Sequence, residues 1–183
     1  VTLDADTAHP RLHISADGRS VRDAGVTRSV PSNDKRFDSH LFVLAKEGYS
    51  QGRHYWQVDV GKRSGWSLGI ARESVTRKGT VTLSPQNGFW AIGLTDGREH
   101  WVYRDSLVHL SVSGKLQKVG LFLDISAKRL VFYNVPKKTA LYTFTLGEGS
   151  GQEEKLYPFF STGPCAAKPD AEPLRIEEVP DND

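Results

Sequence analysis

The residues that could do chemistry in this chain are not spaced to form a catalytic site. Cys165 is the single cysteine, and as a nucleophile it would need a histidine beside it in space and a positively charged environment. The six histidines show no spacing typical of metal ligands. The sequence contains no glycine-rich phosphate loop of the kind that binds nucleotides. It therefore favours a binding domain over an enzyme, with no metal ion and no cofactor expected.

Charge is nearly balanced over the chain, at a net value of +2, but it is unevenly distributed. Acidic residues gather toward the end of the chain and cationic residues in its middle, namely Lys62, Arg63, Arg72, Arg77 and Lys78. Two interpretations of the cationic group stay open: side chains of solvated loops, which we favour, or a phosphate-binding patch. The small net charge argues against a nucleic-acid partner.

Length and composition fit one soluble globular domain. The chain has 183 residues, of which 38% are hydrophobic and 25% are charged. No apolar run approaches the ~20 residues that span a bilayer, so we expect no direct membrane insertion. The chain starts at Val1 and contains no methionine, which indicates a segment of a longer protein. Its single cysteine excludes an internal disulfide and fits a reducing, cytoplasmic setting.

Residues 52 to 72 carry the clearest structural pattern in the chain. Trp56 and Val58 alternate with polar residues, and further along Trp66, Leu68 and Ile70 alternate with small ones. The connection at residues 61 to 65 is polar and bounded by glycines, which is typical of a turn between antiparallel strands. We therefore predict a hairpin whose apolar face enters the core and whose other face positions candidate binding residues.

The small residues of the second strand present an unusual face. In the second strand this face consists of Ser67, Gly69 and Ala71. A later segment shows the same alternation, and its corresponding face consists of Phe89, Ala91 and Gly93. Such a face either lies under a covering loop or closely packed backbone, or forms the floor of a shallow pocket. Both interpretations stay open, and the function depends on which is true.

The remaining sequence predicts further strands, about a dozen in all, and no helix. Turn signals at Asp17-Gly18, at residues 95 to 98 and at residues 125 to 128 predict hairpins, and residues 80 to 83 predict a short strand. These features indicate an all-β sandwich. Its predicted core consists of Trp56, Val58, Trp66, Leu68, Ile70, Trp90, Ile92, Leu121, Leu123, Phe132 and Phe144.

Ordered motifs along nearly the whole chain resemble a known family. They include Ser15-Ala-Asp-Gly-Arg-Ser-Val21, Arg36-Phe-Asp38, Gly52-Arg-His-Tyr-Trp-Gln-Val-Asp-Val60, Trp66-Ser-Leu-Gly69, Asn87-Gly-Phe-Trp90, Gly120-Leu-Phe-Leu-Asp124, Phe132-Tyr-Asn134 and Tyr157-Pro-Phe-Phe160. Together they resemble a B30.2 (PRY/SPRY) domain. The resemblance implies a bent antiparallel two-sheet β-sandwich of concanavalin-like type, with a PRY segment at residues 1–50, a SPRY segment at residues 51–178 and an acidic tail at residues 179–183.

The resemblance also implies where a ligand would bind. Contacts of ligand-binding members map to Ser67, Gly93, Thr95 and, in the segment following Phe160, to Pro164. The residues that bind antibody Fc or sense phosphoantigens in other members are not retained at these positions. From the residues themselves we expect Arg72 at the rim as a partner for an anion or a C-terminal carboxylate, and Trp101 and Tyr103 as an aromatic wall. The predicted ligand-binding residues are thus Ser67, Arg72, Gly93, Thr95, Trp101, Tyr103, Phe160 and Pro164.

Three functions are implied by the resemblance as alternatives. The first, which we favour, is the substrate-recognition domain of a tripartite-motif ubiquitin ligase in innate immunity, which binds a protein or peptide through loops on a concave surface. Its catalytic RING, and a coiled coil that could make the parent protein oligomeric, would lie outside this segment. The second is the cytoplasmic ligand-sensing domain of a butyrophilin-like receptor, and the third is a secreted variant such as the venom proteins with this fold.

Overall fold

A computed structural model describes residues 1–146, 154–163 and 172–177, and within them thirteen strands form two antiparallel sheets. The larger sheet has seven strands in the order β1-β2-β13-β4-β9-β10-β11. Its members are β1 (Leu12–Ile14), β2 (Ser20–Asp23), β4 (Arg53–Asp59), β9 (Lys118–Asp124), β10 (Arg129–Asn134), β11 (Thr139–Thr145) and β13 (Leu174–Glu177).

The smaller sheet has six strands in the order β3-β12-β5-β6-β7-β8. Its members are β3 (Phe42–Leu44), β5 (Trp66–Arg72), β6 (Phe89–Thr95), β7 (Glu99–Tyr103), β8 (Leu107–His109) and β12 (Leu156–Ser161). A single 3₁₀ turn, Pro85–Asn87, precedes β6, and the side chain of Ser84 caps it by accepting a hydrogen bond from the Asn87 amide. The all-β two-sheet prediction is confirmed.

The core lies between the facing sides of the two sheets. The alternating apolar residues of β4 and β9 meet those of β5 and β6 there, and the tryptophans Trp56, Trp66 and Trp90 are each at most 2% exposed. All eleven predicted core residues are buried in this one cluster. The period-of-two pattern therefore identified the inner face of each central strand correctly.

The predicted hairpin at residues 52 to 72 is wrong in one respect. Its two strands exist, as β4 and β5, but they do not pair with each other: β4 pairs with β9 and β13, whereas β5 pairs with β6 and β12. The glycine-bounded connection instead crosses from one sheet to the other. Trp56 of β4 and Trp66 of β5 lie in the same core because the two strands are on opposite sides of that core.

Other local predictions had mixed outcomes. The hairpins β1–β2, β6–β7 and β9–β10 are confirmed. The short strand predicted at residues 80 to 83 is not formed, since this segment is irregular. Conversely, β8 was missed because all three of its residues are exposed and give no burial pattern.

A second, smaller apolar cluster covers part of the outer face of the six-stranded sheet. It combines Phe37, Phe42 and Leu44 from the N-terminal segment with Val75 and with side chains of β5, β6 and β12. The edges of Phe37 and Phe159 meet the Phe42 ring at centroid distances of 5.4 and 4.9 Å. The N-terminal segment thus packs on the outside of the sheet as well as pairing within the sandwich.

Candidate functional site

A cavity of about 320 Å³ opens on the outer face of the six-stranded sheet, at the end where β5 begins and β6 ends. Strands provide its base, and the N-terminal segment and the irregular loop before β6 provide its sides. Its lining comprises Ser39, His40, Leu41, Phe42, Trp66, Ser67, Val81, Leu83, Leu94, Thr95, Tyr103, Ser161 and Gly163. Three of the predicted ligand-binding residues, Ser67, Thr95 and Tyr103, therefore share one cavity.

Tyr103 lies across the base of this cavity, over Gly93. The hydroxyl oxygens of Tyr103 and Ser67 are 3.2 Å apart, within hydrogen-bonding distance. A Cβ at Gly93 would collide with the Tyr103 hydroxyl and would lie 2.9 Å from the Trp66 carbonyl oxygen. Burial raises the pKa of Tyr103, and the hydrogen bond with Ser67 opposes that rise. Gly93 contributes by leaving room for this ring, so its small size has a structural reason.

Trp101 holds Thr95 in position at the edge of the cavity. Its indole Nε1–H donates a hydrogen bond of 2.9 Å to the Thr95 Oγ1. The Trp101 ring also meets the edge of His109 at a centroid distance of 5.5 Å, and the His109 Nε2 lies 3.3 Å from a carboxylate oxygen of Glu99. Trp101 is outside the described lining of the cavity, so it supports the rim through Thr95.

His40 is a lining residue that was not predicted from the sequence. Its ring stacks on Phe42 at a centroid distance of 4.8 Å, and its Nε2 accepts a hydrogen bond of 2.9 Å from the Val81 amide. Burial lowers the pKa of His40, and the negative charge of Asp38 opposes that effect. The ring is therefore held as neutral imidazole at neutral pH and joins two walls of the cavity.

The small-residue faces divide between the two interpretations. At the far end Gly69, Ala71, Phe89 and Ala91 are fully buried beneath the second apolar cluster. A Cβ at Gly69 would meet the backbone of the neighbouring strand, including the Ala91 Cα at 2.7 Å. Of these small residues only Ser67 lines a described cavity, because the covering segment stops there.

The remaining predicted residues lie elsewhere. Phe160 is 1% exposed in the main core, opposite Leu68, whereas its neighbour Ser161 pairs with Ser67 and lines the cavity. Alternation along β12 was the signal that could have identified Ser161. Arg72 lies at the opposite end of β5 from Ser67. Pro164 falls outside the described residues, and Gly163 is the nearest described lining residue to it.

The cationic residues of the middle of the chain mostly bind backbone oxygens. The Arg63 guanidinium is 3% exposed and donates to the carbonyls of Gly65, Thr162 and Glu172. Arg77 donates to three carbonyls, and Lys78 donates to a fourth. These three side chains act as internal ties. Of the two others, Lys62 is exposed and Arg72 is considered separately.

Two properties of the described ranges bear on other functions. No group of three or more histidine, cysteine, aspartate or glutamate side chains could hold a metal ion there, and Cys165 lies outside these ranges. The same residues include no helix with the length and apolar character needed to cross a bilayer.

Comparison with known sequences gives two family matches that lie one after the other along the chain. The SPRY domain model matches residues 53–169, and the PRY model, described as a SPRY-associated domain, matches residues 1–49. Mouse E3 ubiquitin-protein ligase TRIM58 is 44% identical over 183 residues, which are 100% of this chain and 36% of the relative. Bovine butyrophilin subfamily 1 member A1 is 40% identical over 169 residues, 92% of this chain and 31% of the relative. The chain thus spans about a third of the length of these relatives.

Solved structures agree with this assignment. The stonustoxin structure superposes with a TM-score of 0.80 at 25% identity, covering 96% of this chain and 28% of that one. The TRIM65 PSpry domain superposes with a TM-score of 0.76 at 21% identity, covering 97% and 89% respectively. Given both family matches and the two-sheet fold, the chain belongs to the PRY/SPRY family and forms a B30.2 domain, a type of module that binds protein ligands.

Proposed function

We propose that this domain recognises a protein partner through the Ser67–Tyr103 cavity and serves as the substrate-recognition module of a tripartite-motif ubiquitin ligase. The observation that carries the proposal is the convergence of Ser67, Thr95 and Tyr103 at one opening on the outer face of the six-stranded sheet. The RING that would transfer ubiquitin lies outside this segment, as does any coiled coil that would make the parent protein oligomeric.

The chemistry of the cavity suits one side chain of a partner protein. Phe42, Val81, Leu83 and Tyr103 supply apolar and aromatic walls, and hydroxyl groups of neighbouring strands supply hydrogen-bonding groups. Aromatic side chains at the centre of a contact contribute most of the affinity in protein interfaces. A volume of about 320 Å³ is at the small end for ligand pockets, so the cavity accommodates an anchor residue and the surrounding loops contact the rest of the partner.

The ligase assignment rests on the relatives and remains part of the proposal. The match of this whole chain to 36% of a mouse ubiquitin ligase, at 44% identity, supports it. A role in innate immunity is a further expectation from the family resemblance. The coding sequence upstream of Val1 tests the assignment directly: a RING, a B-box and a coiled coil support it, and a transmembrane helix contradicts it.

The cavity assignment is tested with Thr95→Arg and a matched control, Thr143→Arg. Thr95 is half-buried at the rim, whereas Thr143 is exposed on β11 of the other sheet. Partners are identified by quantitative mass spectrometry on the immobilised domain, and the affinity of each purified partner is then measured by calorimetry. We expect at least about tenfold weaker binding for Thr95→Arg and unchanged binding for Thr143→Arg.

A second variant removes the support of the rim. Trp101→Ala removes the hydrogen bond to Thr95, and combined with Thr95→Arg it should abolish binding while the domain stays folded. A partner that binds both variants as tightly as the wild type would show that another surface is used.

A butyrophilin-like receptor is the second candidate. The 40% identity to bovine butyrophilin over 92% of this chain favours it. In that case the same domain would act as a ligand sensor in the tail of a membrane protein. The upstream sequence distinguishes the two candidates.

A further inference from the structure

The guanidiniums of Arg72, Arg77 and Arg104 each lie over an aromatic ring, and they differ in how their hydrogen-bond donors are used. The guanidinium carbons of Arg72, Arg77 and Arg104 lie 5.1, 5.2 and 5.6 Å from the ring centroids of Trp90, Phe37 and Phe144. Arg77 donates to three backbone carbonyls, and Arg104 donates to a tyrosine hydroxyl at 3.0 Å. The Arg72 guanidinium, by contrast, has no hydrogen-bond acceptor and no carboxylate partner among the described residues.

Arg72 faces a second cavity, of about 390 Å³. Hydroxyl and amide groups make up most of its border, and none of the described lining residues carries a carboxylate. The lining consists of Arg72, Ser74, Val75, Thr76, Thr80, Val81, Thr82, Gln86, Asn87 and Gly88. The cavity is therefore rich in donors and has one cation with its donors unused by the described part of the protein.

The described carboxylate associated with this cavity is Glu154, and it is already engaged. Its two oxygens accept hydrogen bonds from the Ser74 hydroxyl, at 2.9 Å, and from the Ser74 amide, at 3.1 Å. Glu154 is thus bonded to a lining residue, and its charge makes the border less favourable for a multiply charged anion. One guanidinium with one carboxylate nearby suits a ligand with a single negative charge.

This second cavity is distinct from the one at Ser67. Ser67 and Arg72 are five residues apart on β5, which corresponds to roughly 17 Å along an extended strand. The described linings of the two cavities have only Val81 in common. A ligand at Arg72 would therefore contact different residues from a ligand at Ser67.

We propose that the Arg72 cavity binds a carboxylate of a partner protein, either an aspartate or glutamate side chain or the end of a chain. The planar guanidinium offers paired N–H donors that match a carboxylate, and its contact with the Trp90 ring, 5.1 Å from the centroid, holds it beside the cavity. The surrounding hydroxyl and amide groups would bind the adjacent peptide backbone.

The test monitors the ¹⁵Nε–H signals of Arg72 and Arg104 by NMR during peptide titrations at constant ionic strength. The probes are acetyl-Gly-Gly-Asp-Gly-Gly-amide, acetyl-pentaglycine with a free C-terminus, and the neutral acetyl-pentaglycine amide. We expect a saturable shift at Arg72 with at least one of the two acidic peptides, and none with the neutral peptide. Arg104 is the internal control, because it is also stacked but already bonded. Equal shifts at both arginines, or no saturable shift at Arg72, would overturn the proposal.

Substitutions and a competing anion complete the test. Arg72→Gln should abolish saturable binding, whereas Arg104→Gln should leave it unchanged. Thr82→Glu keeps Arg72 and places a carboxylate in the cavity, so it should also weaken binding at least tenfold even if Arg72→Gln folds poorly.

The relative affinities of the probes identify the ligand. Tighter binding of the aspartate peptide identifies a side chain as the ligand, and tighter binding of the free terminus identifies a chain end. Inorganic phosphate binding more tightly than both peptides would contradict the preference for a single charge. Thr95→Arg should leave all these peptide-binding results unchanged, which distinguishes the Arg72 cavity from the Ser67–Tyr103 cavity.

Discussion

Replacing Arg63 by methionine should destabilise the domain strongly, because this one side chain ties three chain segments together. Arg63 lies in the connection that crosses from β4 to β5, and its guanidinium donates to the carbonyls of Gly65, Thr162 and Glu172. Thr162 comes directly after β12 of one sheet, and Glu172 precedes β13 of the other. The β4–β5 connection and the chain on either side of the β12–β13 connection are therefore joined by a single buried guanidinium.

The expected loss depends on the number of acceptors left without a donor. Methionine keeps the unbranched stem but donates no hydrogen bond, and a buried acceptor deprived of its donor costs about 1–3 kcal/mol. The bond to Thr162 is buried and the bonds to Gly65 and Glu172 are partly buried, so water relieves part of the loss at the latter two. Together the three lost bonds give about 3–5 kcal/mol of lost unfolding free energy. For a domain of this size that corresponds to a melting temperature lower by roughly 6–20 °C.

Urea unfolding monitored by tryptophan fluorescence measures the loss, and hydrogen exchange shows where it occurs. We expect faster amide exchange in β13, whose start is held by the Glu172 carbonyl. Arg53→Met is the matched control, since the Arg53 side chain is 76% exposed and lies 3.4 Å from Asp124, and it should change stability by less than about 1 kcal/mol. A loss for Arg63→Met below about 1 kcal/mol, or equal to that of the control, would refute this reasoning.

Two further outcomes are expected from the outer face of the six-stranded sheet. Gly69→Ala should cost more than about 3 kcal/mol in urea unfolding, because its Cβ would meet the Trp90 carbonyl and the Ala91 backbone, neither of which can move independently of the sheet. Lowering the pH from about 7.5 to 5 should reduce stability in part through His40, whose pKa is lowered by burial from its ordinary value of 6.5. Between the two pKa values the unfolded chain binds more protons, so this contribution is complete above pH 6.5 and is lost as the pH falls through the folded-state pKa.

Each of these outcomes has a control. Gly79→Ala, at a position with φ of +80° and no atom near the added Cβ, should cost only about 1–2 kcal/mol, from backbone strain. A similar loss at both glycines would show that the neighbouring strand yields at Gly69. His40→Gln keeps an acceptor for the Val81 amide without a titrating ring, so its stability should decline less than that of the wild type on acidification. Equal declines would exclude His40 as a contributor.

The central strands could be predicted from the sequence because their burial has a period of two. Trp56, Trp66 and Trp90 mark inner faces regardless of which strands pair, so the core was predictable while the pairing was not. The connection at residues 61 to 65 has the composition of a hairpin turn, and composition alone does not distinguish a turn within a sheet from a passage between sheets. That distinction is made by Arg63, because two of its three carbonyl partners lie about 100 residues further along the chain.

The candidate site was predictable to the extent that it lies on strands. Ser67 and Thr95 were expected from the family resemblance and Tyr103 from its aromatic type. Ser161 would have followed from alternation along β12 had the β5–β12 register been known. His40 could not be derived in this way. It belongs to a segment that reaches the cavity by packing over the sheet, a contact with no local signature in the sequence.

The segments that pack over the six-stranded sheet, namely the N-terminal segment and the loop before β6, determine where ligands can bind more than the sheet itself does. The outer faces of β5 and β6 carry small residues along most of their length, yet Gly69, Ala71 and Ala91 are closed off by the aromatic cluster of the N-terminal segment. Openings remain on either side of these covering segments, one at Ser67 and one at Arg72, and Val81 of the covering loop borders both.

Substitution of the strand residues disturbs packing, since even a methyl group at Gly69 or Gly93 meets a backbone oxygen. Residues of the cover such as Thr76, Thr80 and Thr82 are exposed and free of that constraint. Ligand preference in this domain can therefore change through the covering segments while the sheet beneath them stays fixed.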